Sequence, residues 1–234
     1  MKYNPNIALV WVPPMQRERG PYVTMHSGAK AFPLNPDRGD VRMADVCRTL
    51  ATTWRWRGAT QGGLYSVAEH SLRVAAVCRQ IAIDQGLNRW GVNLTHLCGL
   101  LHDSGEYLFP DMPRPIKGDC FVKGLDGELV PYDVAEMKVT RSVVEACGVS
   151  WAEYESAESI VKLADDAILY AEARDLVKSA EWWRQKAKPE HLHYMTETIT
   201  PGHWGGVDDT ALALEVEIQV AAAYVKHFRS NQSC

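Results

Sequence analysis

The sequence predicts an all-α helical bundle preceded by an irregular N-terminal arm, and three observations carry that prediction. Apolar residues recur at helical spacing from about Arg42 onward. Prolines crowd into residues 1–39 and again into the segment from Pro110 to Pro115, which confines irregular backbone to those places. Ionisable residues stand on the apolar faces of three separate predicted helices, as they do where facing helices build a site inside a bundle. At 234 residues the chain is long enough for one full core and short for two, so residues 1–26 are assigned to the arm and residues 27–234 to a single domain.

Taken in order, residues 1–39 carry Pro5, Pro13, Pro14, Pro21, Pro33 and Pro36, with a short strand pair expected around Ile7–Val12 and Tyr22–Met25. Met43, Val46, Cys47 and Leu50 predict a helix from Arg42 to about Arg55, with Asp40 as its N-cap. Trp54-Arg55-Trp56-Arg57-Gly58 follows as an aromatic and basic cluster; its plain reading is a core tryptophan beside solvated arginines. After a Gly-rich turn, Val67, His70, Val74 and Val77 share one stripe of a helix from about Ser66 to Gln80, so His70 points inward. A helix from Leu94 to Tyr107 buries Leu94, Leu97, Cys98 and Leu101. The prolines of Phe109–Lys117 predict a stiff non-helical loop, and residues 118–131 a further loop. Helices are then expected over Asp133–Cys147, over a long region from Trp151 to Ser179 and over Asp208–Phe228, the last capped by Asp208 or Asp209. His191, His193 and His203 lack tight ligand spacing and are assigned to the surface.

Composition narrows the function classes. Hydrophobic residues at 46% and charged residues at 23% describe an ordinary globular chain, and a net charge of -4 argues against a phosphate-tracking nucleic-acid groove. A small anionic substrate needs only a local basic cluster and is not excluded. Six cysteines form no CxxC pair and are expected to be reduced core thiols. No basic segment leads into an apolar run, so no export signal or membrane anchor is expected and the assignment is cytoplasmic.

The chemistry-bearing stretch is Leu94–Pro110, and within it the adjacent pair His102-Asp103. An imidazole and a carboxylate held by one backbone segment offer two neighbouring metal ligands. A closed site needs more, and His70 upstream and Asp165 downstream are inward-facing candidates, although a lone inward histidine is also a common core residue. Asp165 shares a face with Val161, Ile168 and Glu172, where an unpaired carboxylate would be costly, whereas Asp166 lies about a hundred degrees round. On a continuing helical turn Glu106 projects toward the same space as His102 and Asp103, as a candidate general acid or base or as an ordinary surface carboxylate.

A His, then His-Asp, then Asp, each on an inward face, resembles the HD superfamily of metal-dependent phosphohydrolases. FPLNPDRGDVRMADVCRTL, WRWRG, LYSVAEHS, LLHDSGEYLFPDMPRPIK and ADDAILYAEARDL resemble segments of its bacterial and phage branch, which contains 5′-deoxynucleotidases and phage dATP triphosphohydrolases. The resemblance covers about Ser27 to Lys178. It implies that His70, His102, Asp103 and Asp165 bind one divalent cation, Co, Mn, Zn or Mg, with Asp165 favoured over Asp166 because it stands seven residues before the Glu of EARDL. It further implies that Glu106 and Asp103 serve catalysis, that Arg55 and Trp56 contact phosphate and the sugar or base, that Asp111 lies near the sugar, and that Lys117 is a basic group at the loop end. The implied activity is hydrolysis of deoxynucleotide phosphates, dATP or another dNTP to nucleoside and triphosphate, or alternatively a dNMP to nucleoside and phosphate. Arg55, Arg73, Lys117 and Lys178 are candidates to meet a phosphate tail. A silent nucleotide sensor and a nuclease or cyclic-nucleotide phosphodiesterase are the readings from other classes. The resemblance also implies a homo-oligomer.

Overall fold

The computed structural model describes residues 19–178 and 181–231, so the Ile7–Val12 strand expectation lies outside the described residues. Val23–Thr24 (β1) does form a strand, antiparallel to Lys30–Ala31 (β2). Helix α1 spans Met43–Thr52; its N-cap is Arg42 and not Asp40, which instead ends a short 3-10 turn capped by the Asp37 side chain. Helix α2 (Val67–Asp84) begins at a capping box: the Ser66 hydroxyl accepts from the Glu69 amide at 3.2 Å, while Glu69 Oε2 accepts from the Ser66 amide at 3.1 Å. Every residue from Val67 to Ala75 is buried, which marks α2 as the central rod of the bundle.

Helix α3 (Arg89–Leu101) lies along α2, with Gly99 at their closest approach. A Cβ added at Gly99 would stand 2.8 Å from the Ala75 Cα and 2.8 Å from Cys78 Sγ, and the Ala75 backbone cannot yield. Gly99→Ala is therefore expected to destabilise the fold by about 1–3 kcal/mol through overpacking, measured as a lower denaturant midpoint at unchanged m-value.

α3 stops at Leu101, short of the Tyr107 expected from sequence, and Ser104–Tyr107 forms a 3-10 turn. Tertiary packing causes the change: the Gly105 amide donates to Thr140 Oγ1 at 3.1 Å, which pulls the chain out of the helical path. The proline segment also differs from expectation. Arg114–Lys117 is a one-turn helix (α4) with Pro115 in its first turn, where a missing N–H costs nothing. Residues 118–131 are not merely a loop, since Phe121–Lys123 (β3) and Leu129–Pro131 (β4) pair as an antiparallel hairpin. With only three residues per strand, no alternation was long enough to read.

Helix α5 (Tyr132–Ala146) packs on that 3-10 turn. The region expected as one long helix breaks at Ala157 into α6 (Trp151–Ser156) and α7 (Glu158–Leu176), and α7 ends before Ser179. Two single turns, α8 (Glu181–Arg184) and α9 (Pro189–Leu192), precede α10 (Val207–Asn231), which lies across α1 and α3. Asp209 closes the first turn of α10 from inside by accepting from the Gly206 amide at 3.2 Å, while Asp208 pairs with Arg48. His193 and His203 are exposed, but His191 is buried, tilted against Tyr170 at 5.0 Å with its Nδ1 accepting from the Lys188 amide. Cys47, Cys78 and Cys98 are buried free thiols, and Cys120 and Cys147 are half-buried free thiols. The described residues contain no helix long and apolar enough to cross a membrane. The all-α expectation holds: apart from two small hairpins the ordered structure is helical.

Candidate metal centre and its cleft

Three chain segments converge on one point. His70 comes from the second turn of α2, His102 and Asp103 from the end of α3, and Asp165 from the middle of α7. His70 Nε2 lies 3.1 Å from His102 Nε2, 3.1 Å from Asp165 Oδ1 and 3.5 Å from Asp103 Oδ2. His102 Nε2 lies 3.2 Å from Asp103 Oδ2 and 3.8 Å from Asp165 Oδ1. Ligands about 2.1 Å from one cation and 90–110° apart stand about 3.0–3.5 Å from each other, so the spacings among His70, His102 and Asp103 suit a single ion, and Asp165 meets that range only toward His70.

The other ring nitrogens are already engaged. His70 Nδ1 faces Glu172 Oε1 at 2.6 Å, and His102 Nδ1 faces the Gly99 carbonyl at 2.9 Å. Each acceptor favours the proton on Nδ1 and leaves the Nε2 lone pair directed at the common point. Two facing lone pairs beside two carboxylates repel unless a positive charge lies between them, and the residues therefore fit a divalent cation. Without one, burial and Arg55 disfavour charge on His70, yet Glu172 and Asp165 outweigh them and raise its pKa to about 9. Burial likewise opposes ionisation of Asp103, but His102 and His70 hold it well below the usual carboxylate range. Asp165 is lowered too, by His70 and His102 against burial. Asp166 points elsewhere, to Arg114 and Lys162.

Glu172 organises the surroundings of this point, a role the sequence reading missed although it placed Glu172 on the Asp165 face. It is fully buried and accepts from Arg55 Nε at 3.2 Å and from Trp56 Nε1 at 3.0 Å, in addition to its contact with His70. Burial would raise its pKa, but Arg55 and His70 bring it down to about 2. Arg55 is buried and also pairs with Asp103 at 3.2 Å, so the plain reading of solvated arginines fails for it and holds only for the exposed Arg57. These bonds hold Trp56 and Arg57 at φ +54°, a left-handed conformation that residues with side chains adopt at a cost.

A cleft of about 290 Å³ opens from the centre, and Arg55, Trp56, Glu106, Asp111 and Lys117 all line it. Glu106 reaches it from the 3-10 turn and not from a continued helix; it is buried, and its Oε2 has no hydrogen-bond partner among the described residues. Burial, reinforced by Asp103 and Asp111, raises its pKa well above the ordinary value, which favours the neutral carboxyl. Asp111 is half-buried and shifted the same way by burial. Lys117 is bound at 2.5 Å to Glu136 on α5, a partner that the sequence reading did not anticipate. Arg114 straddles Asp165 Oδ2 at 2.6 Å and Asp166 Oδ1 at 3.0 Å. The Trp56 ring stands edge-on to Trp183 at 5.5 Å, which adds Trp183 to the cleft wall. Arg73 and Lys178, both considered for a phosphate tail, do not line the cleft.

The HD domain family model matches residues 67–167, the span that contains His70, His102, Asp103, Glu106 and Asp165. An uncharacterized protein of Rhodobacter capsulatus is 39% identical to the chain over 94 residues, which cover 40% of this chain and 45% of that protein. The chain thus spans less than half the length of the curated relative it matches. Residues 67–167 are therefore similar to the HD domain family, and His70, His102, Asp103 and Asp165 all lie within the matched span.

Proposed function

We propose that the protein is a divalent-metal-dependent phosphohydrolase of deoxynucleotides, and that a 5′-deoxynucleoside monophosphate suits its cleft best. One observation supports this reading above the others: a buried carboxyl without a partner, Glu106, lines the same cleft as Asp103 and Asp165. His70, His102, Asp103 and Asp165 would hold the cation. When bound, a divalent cation makes a water nucleophilic near neutral pH and draws charge from a phosphoryl oxygen. In its protonated form Glu106 gives its proton to the leaving 5′ oxygen as the P–O bond breaks, and takes back the proton that the attacking water loses. Arg55 presents its fork toward the phosphate while Glu172 fixes its orientation. Asp111 accepts a hydrogen bond from the sugar, and the Trp56–Trp183 wall packs the base and leaves no partner for a ribose 2′-hydroxyl.

Charge supports the monophosphate over the triphosphate reading that the sequence favoured. Of the cleft cations Arg55, Arg57, Arg114 and Lys117, only Arg57 makes no ion pair among the described residues, and Arg73 and Lys178 lie outside. A triphosphate tail wants more free positive charge than that. Triphosphohydrolysis is the second reading, since phosphates can displace carboxylate partners. Incubating the metal-loaded chain with dAMP and with dATP separates them: the expected products are deoxyadenosine and inorganic phosphate from dAMP, whereas intact triphosphate from dATP would establish the second. Turnover of neither with Mg, Mn, Co or Zn would refute both. The expected homo-oligomer has a face available on α10, where Leu212, Val216, Val220 and Tyr224 are exposed at four-residue spacing.

A further inference from the structure

A second cavity, of about 590 Å³, lies between α2, α7 and the segment from His193 to Trp204, and shares no lining residue with the metal cleft. Its most unusual occupant is Arg73. This side chain is only 7% exposed, and its guanidinium has few partners: a 3.3 Å bond to the Thr200 carbonyl and the face of Trp204 at 5.0 Å. Arg73 Nε has no hydrogen-bond partner, and the guanidinium makes no ion pair among the described residues. A buried cation normally finds a carboxylate, because desolvation without a counter-charge is costly.

The carboxylates nearby are committed or stand apart. Asp84 receives Gln80 Nε2 at 2.7 Å and Tyr194 Oη at 3.3 Å. Asp175 is bound twice by Arg174 and accepts from the Ile199 amide at 2.8 Å, so Arg73 reaches it only through its field. Glu197 lines the cavity without contacting Arg73, and His193 and His203 complete the titratable lining. The walls themselves are well fixed. Arg174 donates to the Met195 and Glu197 carbonyls, and Glu69 Oε1 accepts from the Gly202 amide at 2.8 Å, which ties the loop to the helix that carries both His70 and Arg73.

We infer that this cavity is a second ligand site, in which Arg73 pairs with a small oxyanion whose body lies against Trp204. The shared chemistry is a phosphate or carboxylate head, and the two are separated experimentally. In the full-length protein the Arg73 Nε–H resonance, identified by its loss in Arg73→Lys, reports directly on the site. Inorganic phosphate, deoxyadenosine monophosphate and benzoate are titrated separately. The expected result is a saturable downfield shift of that resonance with at least one of them, and a binding constant weakened about tenfold or more in Trp204→Leu. Arg57→Ala, at an exposed residue of the metal cleft, should leave the shift in place. No movement with any of the three at millimolar concentration overturns the proposal. So does movement that Arg57→Ala abolishes, since the ligand would then be acting from the metal cleft. Failure of this site leaves the proposed hydrolysis untouched, because the dAMP assay reads the other cleft.

Discussion

Glu172→Ala is expected to cost about 3–5 kcal/mol of stability, a larger loss than any other single change considered. The carboxylate is fully buried and has three partners: Arg55, Trp56 and His70. Its removal leaves Arg55 buried with only Asp103 opposite it, and removes the acceptor that sets the His70 tautomer. Loss of such a supporting acceptor typically weakens metal affinity by about 10–100-fold. Chemical denaturation and metal titration by calorimetry measure the two effects separately. Glu172→Gln keeps the shape and one acceptor oxygen, so it should recover part of the stability while metal affinity stays reduced. An alanine variant as stable as the parent would show that Glu172 does not organise the site.

The second large effect is Glu106→Gln. Turnover should fall by about 10²–10⁴-fold, the usual contribution of a positioned proton donor, while metal content stays at the parent level. Stability should be unchanged or slightly higher. Glu106 Oε2 has no partner in its buried position, and burial already disfavours the charged form, so a neutral isostere gives up nothing that the fold uses. This pairing of lost activity with kept stability and kept metal separates an enzyme from a silent nucleotide sensor, for which the substitution would change little. Unimpaired hydrolysis in Glu106→Gln would remove Glu106 from the mechanism.

Those two residues differ in how visible they were in the sequence. Glu106 was legible as a site candidate because it sits four residues from His102, although its predicted helical setting was wrong: Gly105 bonding to Thr140 turns the chain into a 3-10 turn. Glu172 was visible only as a register mark for Asp165, because its partners Arg55 and Trp56 lie 117 and 116 positions away and nothing local signals them. The main helices were readable because their apolar stripes run for several turns, as in α2 and α3. The β3–β4 hairpin and the Arg114–Lys117 turn were not, since three- and four-residue elements are too short to repeat a pattern. Charge pairing across the fold was hidden because its partners are distant in sequence: Lys117 was readable as a basic group at the loop end, and Glu136 pairs with it from α5. The convergence of His70, His102, Asp103 and Asp165 rested on a resemblance in sequence, and the short distances among them are a separate observation.

The left-handed pair Trp56 and Arg57 links this geometry to how the molecule assembles. Their local conformational preference opposes the turn they make, and Glu172, far along the chain, helps to hold it by accepting from the Trp56 ring nitrogen. One edge of the binding surface is therefore the product of a distant contact, and such contacts close late because the intervening chain must first be ordered. A partly melted molecule in which the seventh helix has come loose keeps its early helices and loses the aromatic rim of the cleft. Under the proposed function, ligand binding would thus double as a test of whether the described fold is complete.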